Sequence, residues 1–264
     1  MYRLFCVTII LLITATGVSA AHFSLDDLDV AAYGKQYNSL PGPDAQDAAL
    51  KESGTFEPFM KEARSVVDRY DLGSHVGMRL THRHFSVKDG HIMAEEYGTY
   101  DERPSLITSS QALREAMGKR MIPASWILSR AEAPQMFEAS NDEAVYEGSK
   151  LIQRSPEFLD AMAKLLDSHK LDSLLSVALL SRHSLASRGQ QFYGEISFTM
   201  EASRQESVVQ LWDEGTDRFK DSILTSWPLG VPREHKCTTT TWTRCDRERD
   251  GCHWPRTIRS HIKT

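Results

Sequence analysis

Cysteine is scarce in this chain of 264 residues, and its long central part contains none. The four cysteines are Cys6, near the amino terminus, and Cys237, Cys245 and Cys252, near the carboxyl terminus. A central region without cysteine excludes a small scaffold held together by disulfides. Because 41% of the residues are hydrophobic, a region of this length can be stabilised by a packed core instead.

The sequence also lacks the signatures of several enzyme and modification classes. There is no G-x-S-x-G motif to hold a hydrolase nucleophile, and there is no phosphate-binding loop or dinucleotide fingerprint. A cysteine nucleophile would lie near the carboxyl terminus, away from the bulk of the chain. No N-x-S/T sequon is present, so N-glycosylation is not expected.

Long apolar runs are missing too, except for one at the amino terminus. Met1-Tyr2-Arg3 is a basic start, Leu4 to Val18 is apolar, and Val18-Ser19-Ala20 has small residues where signal peptidase reads the chain. This pattern predicts a signal peptide over residues 1–20, cleaved between Ala20 and Ala21, and a secreted, extracellular protein. The run is shorter than the roughly 20 residues of a membrane-spanning helix, so no transmembrane anchor is expected. An uncleaved anchor is the alternative.

Charge is unevenly distributed along a chain whose net charge is −5. Residues 232–264, the basic tail, carry eight Lys or Arg against four acidic residues, so the remainder is clearly acidic. An acidic body excludes nucleic-acid binding by the core. The tail is expected either to stay solvated or to mediate association with a protein or glycan partner.

Three cysteines remain after signal cleavage, and all of them lie in the basic tail. In an oxidising compartment, one intramolecular disulfide plus one free or intermolecular cysteine is the simplest arrangement of Cys237, Cys245 and Cys252. Zinc binding with His235 and His253 is the alternative. The spacings match none of the usual zinc knuckles, and secretion favours a disulfide.

Hydrophobic periodicity predicts an α+β fold: an antiparallel sheet of about five or six short strands with three or four helices packed on it. We expect a weakly structured lead-in over residues 21–54, containing at most a short helix over 44–52, and then a single domain over residues 55–231. Alternation over 76–85 and 91–97, with a turn at 88–90, predicts a hairpin. The other predicted elements are helices over 55–72, 109–119 and 155–169, and strands over 122–128, 174–180, 192–200 and 208–212.

His82 and His84 are the leading candidates for chemistry. Two histidines two positions apart on a strand direct both imidazoles to one side, an arrangement that suits a divalent metal. Glu95 on the returning strand is the candidate third ligand, with His75, His91 or Glu96 as alternatives. The competing interpretation is that the rings are half-buried and hydrogen-bonded within the fold.

Four short motifs follow one another along the chain: L-T-H-R-H-F at 80–85, D-G-H-I at 89–92, I-P-A-S-W at 122–126 and S-P-E-F-L at 155–159. In this order they resemble a group of uncharacterised, mainly fungal proteins that share an H-R-H-F hairpin, an I-P-x-S-W segment and an amphipathic helix. The resemblance covers residues 60–215 and implies a single domain. It implies no known activity, so it assigns no catalytic residue.

Together these features predict a secreted binding or interaction factor, effector-like or attached to a cell surface, whose partner is a protein or a glycan. The different-class alternative is a metal-dependent enzyme, a hydrolase or an oxygenase, that uses His82 and His84. Metal content discriminates between the two hypotheses.

Overall fold

A computed structural model describes residues 24–73, 75–100, 102–130, 133–179, 195–199, 206–211, 222–229, 239–246 and 252–259. The predicted signal peptide, its cleavage site at Ala20 and Ala21, and Cys237 lie outside the described residues. Within these ranges, no helix has the length and apolar character that crossing a membrane requires.

The described residues form both helices and strands, so the fold is α+β, as predicted. The helices are α1 Val30–Asn38, α2 Pro43–Ser53, α3 Phe56–Arg69, α4 Leu113–Ala116, α5 Glu143–Gln153 and α6 Pro156–Ser168. The strands are β1 Val76–Leu80, β2 His91–Tyr100, β3 Arg103–Ala112, β4 Met121–Ile127, β5 Ala133–Ala139, β6 Leu175–Leu179, β7 Glu195–Thr199, β8 Glu206–Leu211, β9 Ser222–Pro228, β10 Thr239–Asp246 and β11 Cys252–Arg259.

The strands join one mixed sheet, so the prediction of five or six antiparallel strands is wrong. The described strands lie in the order β10-β11-β7-β8-β3-β2-β5-β4-β6-β1-β9. β2 and β5 are parallel, with Glu95 opposite Glu138. β9 also approaches β10 from the opposite end of the order, so the sheet is strongly curved.

The predicted hairpin between 76–85 and 91–97 is also wrong. β1 ends at Leu80 and pairs with β6 and β9, while β2 pairs with β3 and β5. The chain leaves the sheet because the Thr81 N–H donates to the Leu174 carbonyl (2.8 Å) and the Arg83 N–H donates to the Pro41 carbonyl (3.0 Å). Both partners are distant in sequence, and local alternation contains no information about them.

The short helix predicted over 44–52 is confirmed as α2, and the lead-in also contains α1, which was not predicted. The Asp29 carboxylate caps α1 by accepting hydrogen bonds from the N–H groups of Ala31 and Ala32. Gly54 ends α2 at φ 63°, a conformation that glycine adopts without strain. Tyr33 and Tyr37 of α1 are buried in a core cluster that covers β2 and β5.

The two long predicted helices are confirmed as α3 and α6. Their apolar stripes are buried against β1, β6 and β9, and the fully buried side chains include Phe59, Ala63, Val67, Phe158 and Leu166. This larger cluster is the main core. It needs no cysteine, as the composition predicts.

The remaining predicted elements have mixed outcomes. The strands predicted over 122–128 and 174–180 are β4 and β6, and the two predicted over 192–200 and 208–212 form the antiparallel pair β7 and β8. The helix predicted over 109–119 is wrong over most of its length, because β3 continues to Ala112 and α4 has a single turn. The basic tail contributes two strands, β10 and β11.

Candidate functional site

Residues 81–90, here called the histidine loop, connect β1 to β2 without regular secondary structure. The last residue of α1 and the segment that follows it hold this loop through a side-chain amide and a backbone carbonyl. Asn38 donates from Nδ2 to the Val87 carbonyl (2.9 Å) and accepts at Oδ1 from the Val87 N–H (2.7 Å). Arg83 donates from Nε to the Leu40 carbonyl (2.7 Å). The ordered lead-in therefore fixes the position of both histidines.

The two imidazoles meet inside this loop. The Nε2 atoms of His82 and His84 lie 3.2 Å apart, and the ring planes are inclined by 80°. Nδ1 of His82 lies 2.7 Å from the Leu80 carbonyl oxygen. Because a carbonyl oxygen only accepts, Nδ1 of His82 carries the proton and its Nε2 is the unprotonated nitrogen. His84 is therefore the donor between the two rings.

Burial keeps the His82 ring neutral. Its side chain is almost inaccessible, and loss of hydration lowers the pKa of His82 to about 3. The positive charge of Arg79 acts in the same direction, while the hydrogen bond to Leu80 acts in the opposite one. A neutral His82 suits a hydrogen-bonded structural role.

The backbone around His82 is tied to the sheet by a buried amide. Gln135 on β5 donates from Nε2 to the His82 carbonyl (3.2 Å), and its Oε1 accepts from the Ser176 hydroxyl (3.0 Å) on β6. The Gln135 carbonyl accepts from the Tyr33 hydroxyl at 2.9 Å. These bonds join the histidine loop, α1 and two strands into one polar cluster.

The histidine pair has the spacing of two metal ligands but lacks the predicted third. In a tetrahedral zinc site with Zn–N bonds of about 2.0–2.1 Å, two nitrogens lie about 3.3 Å apart. Glu95 lies on β2, where its Oε2 accepts from the Thr108 hydroxyl (3.2 Å). Among the described residues, no three His, Cys, Asp or Glu side chains gather in a metal-binding arrangement. The structure thus brings His82 and His84 together without Glu95, and without His75, His91 or Glu96.

A row of buried polar side chains, which the sequence does not predict, crosses the sheet near Glu95. Glu95 lies opposite Glu138 on β5 and Thr108 on β3, and Thr108 lies opposite Ser207 on β8. All four side chains are buried. Only the strand register brings them together, so the sequence contains no local signal for this row.

An open polar cleft of about 350 Å³ lies beside the carboxyl end of β3. Ser109 and Gln111 project from the same side of β3, and Glu206 lies opposite Ser109 on β8. The end of the histidine loop forms one wall, where the Lys88 N–H donates to the Ser110 hydroxyl (3.2 Å). Its lining residues are Lys88, Ser109, Ser110, Gln111, Glu115, Lys119 and Glu206.

Part of the cleft is already fixed by hydrogen bonds within the protein. Gln111 donates from Nε2 to Oε1 of Glu96 (2.5 Å) and accepts at Oε1 from Nζ of Lys119 (3.2 Å). Lys119 also forms an ion pair with Glu96. The amide and one ammonium are therefore held in place before any ligand arrives.

Three other charged side chains line the cleft. Within the part of the chain that the structure describes, Lys88, Glu115 and Glu206 form no ion pair. Lys88 and Glu115 are exposed, and Glu206 is half-buried. The helix predicted over 109–119 gives no indication of this cleft, because Ser109 and Gln111 alternate on a strand.

The cysteines of the tail are placed by the backbone alone. Cys245 lies on β10 opposite His253, and Cys252 lies on β11 opposite Asp246. Their pairing stays a prediction, as does zinc binding by the tail.

Comparison with protein-family models, with curated proteins and with solved structures found no match to this chain. The resemblance to a group of mainly fungal proteins stays a prediction. Function has to be inferred from the residues and from the geometry of this fold.

Proposed function

We propose that this protein is exported and acts by binding a polar partner, as an effector-like or cell-surface factor, without catalysing a reaction. The observation that carries this proposal is the open cleft beside β3, where an amide and an ammonium are held by internal hydrogen bonds. Fixed polar groups bind a ligand with little loss of conformational entropy. Export is supported by the apolar run from Leu4 to Val18 and the small residues before Ala21.

The histidine pair also favours binding over catalysis. His82 is buried, its Nδ1 bonds to a backbone carbonyl, and its Nε2 faces His84. A general base must reach a substrate proton, and the ring of His82 is held inside the fold. The hydrogen-bonding and charged groups of the cleft are open to a ligand, unlike the ring of His82.

Export is tested by expressing the full chain in a secreting eukaryotic host and sequencing the amino terminus of the protein in the medium. A chain that begins at Ala21 is the expected result. The matched control replaces Leu11 and Leu12 with arginine, which breaks the apolar run and should retain the protein inside the cell. Secretion of that control, or retention of the wild type, contradicts the proposal.

Binding without turnover is tested on the same secreted protein. Extracellular glycans and peptides are screened by a shift in melting temperature, and each hit is recovered and examined by mass spectrometry. The expected result is a stabilising ligand that is recovered unchanged. Conversion of a hit into product would identify an enzyme instead.

The second candidate function is a metal-dependent hydrolase or oxygenase centred on His82 and His84. The observation that favours it is the 3.2 Å separation of the two Nε2 atoms, which suits a shared metal. Elemental analysis of the wild type beside the double variant His82→Ala/His84→Ala decides the matter. About one equivalent of metal, lost in the variant, supports the enzyme, whereas metal-free wild type supports the binding factor.

A further inference from the structure

We propose that the cleft beside β3 binds a small zwitterion of the amino-acid type, with its ammonium against Glu115 and Glu206 and its carboxylate against Lys88 and the Ser109 hydroxyl. This inference rests on the proposed binding function and specifies the ligand of the same site. It follows from the signs of the charges that line the cleft and from the hydrogen-bonding groups that are open to a ligand there.

The available charges are of both signs. Lys88 offers one ammonium, while Glu115 and Glu206 offer two carboxylates, and none of the three forms an ion pair within the described ranges. A simple anion would satisfy Lys88 and be repelled by both glutamates. A simple cation would be attracted by both glutamates but repelled by Lys88. A ligand with one positive and one negative end satisfies all three.

The uncharged groups match the same ligand. The Ser109 hydroxyl can donate to a carboxylate, whereas the Ser110 oxygen is occupied by the Lys88 N–H (3.2 Å) and by Nδ1 of His91 (3.3 Å). Gln111 is held by Glu96 and Lys119, so its position does not depend on the ligand. The lining residues include no aromatic ring, which removes the stacking platform typical of sugar sites.

The size of the cleft limits the ligand to a small molecule. Ligand pockets of about 300–1,000 Å³ bury most of a drug-sized compound, and this cleft has about 350 Å³. A single amino acid or dipeptide with a polar side chain fits this volume. The polar lining disfavours an apolar side chain.

The test is isothermal titration calorimetry of the secreted protein at low ionic strength with three matched compounds. L-glutamine carries both charges, N-acetyl-L-glutamine lacks the ammonium, and L-glutamine amide lacks the carboxylate. We expect L-glutamine to bind, and either modified compound to bind about fivefold more weakly, because each loses one exposed charge pair. Equal affinity for all three compounds would overturn the inference.

Two single-residue variants test which side chain contacts each charge of the ligand. Glu115→Gln should weaken the binding of L-glutamine amide and leave the binding of N-acetyl-L-glutamine unchanged. Lys88→Met should weaken the binding of N-acetyl-L-glutamine and leave the binding of L-glutamine amide unchanged. Both side chains are exposed, so neither variant is expected to disturb folding. Glu52→Gln on α2 and Lys35→Met on α1 are the matched exposed controls, and they should leave all three affinities unchanged.

One further compound separates failure of this inference from failure of the proposed function. Glucosamine carries an ammonium and hydroxyl groups but no carboxylate. Binding of glucosamine that is weakened by Glu115→Gln, with no binding of L-glutamine, overturns the zwitterion and keeps the binding function. Absence of L-glutamine binding overturns the zwitterion in every case, and turnover in the recovery assay above overturns the proposed function as well.

Discussion

The hydroxyl group of Tyr33 joins α1 to the two parallel strands β2 and β5. It accepts from the N–H of Met93 at 3.0 Å and donates to the carbonyl of Gln135 at 2.9 Å. Both bonds are buried, and they lie where the pairing of β2 with β5 begins. Tyr33 thus ties the first helix of the lead-in to the sheet.

Tyr33→Phe is expected to destabilise the protein by about 1–3 kcal/mol, because two buried backbone groups lose their partner. The free energy of unfolding in urea measures the effect. Tyr70→Phe is the matched control, since the Tyr70 hydroxyl donates to the Glu157 carbonyl (3.2 Å) at an exposed position. A Tyr33 variant as stable as that control would show that other groups satisfy Met93 and Gln135.

Asn38→Ala is expected to loosen the histidine loop. The substitution removes both hydrogen bonds to Val87 and should cost about 1–2 kcal/mol of stability. Hydrogen exchange should report faster exchange of the Val87 amide. Asn141→Ala, at an exposed position before α5, is the control. Unchanged protection of Val87 would contradict the role given to Asn38.

The buried His82 makes stability depend on pH in the acidic range. The pKa of its ring is about 3 in the folded protein and 6.5 when the ring is fully hydrated, so between these values the unfolded chain binds more protons. Stability is therefore expected to fall as the pH decreases from about 6.5 toward 3, by up to about 1.4 kcal/mol per pH unit from this group. The contribution is fully present above about pH 6.5.

Two measurements check the pH dependence. The ring resonances of His82 in NMR spectra should not titrate between about pH 8 and pH 4. Urea unfolding of His82→Asn should show a smaller loss of stability over the same range than the wild type. A His82 ring that titrates near its ordinary pKa in the folded protein is incompatible with its burial against Arg79.

The ring of Tyr146 on α5 contacts two cationic side chains. The guanidinium carbon of Arg120 lies 3.7 Å and Nζ of Lys150 lies 3.9 Å from the ring centroid. Tyr146→Leu should cost about 1–2 kcal/mol, because each exposed cation–π contact is worth about 0.5–1 kcal/mol. Tyr146→Phe keeps the ring and should cost less in the same urea experiment. Equal losses of stability in the two variants would show that the effect comes from the Tyr146 hydroxyl and not from its ring.

Sequence periodicity predicts those elements whose buried face is marked by a repeating pattern of apolar residues within the element itself. The stripe that includes Phe59, Ala63 and Val67 recurs with the helical period and places α3 correctly, as a comparable stripe places α6. The hairpin fails because the alternation of β1 continues through His82 and His84, although the chain has already turned away to Leu174 and Pro41. Residues far along the chain determine that turn.

The candidate site also has one part that the sequence predicts and one part that it does not. The proximity of His82 and His84 is predictable from their spacing, although they lie in a loop and not on a strand. The cleft depends on Glu206 reaching Ser109 through the pairing of β8 with β3. Such a register between distant strands is not encoded in either segment alone.

The position of β1 in the sheet has a consequence for the order of folding. Met78 lies between Val177 on β6 and Trp227 on β9, so its two neighbours are synthesised long after it. Contacts so distant in sequence are formed late and slowly. A chain emerging with its amino terminus first would hold β1 unpaired on both sides until the residues of β6 and β9 are available. Its apolar residues would meanwhile depend on chaperones, and truncation before β9 should give aggregated protein instead of a smaller folded unit.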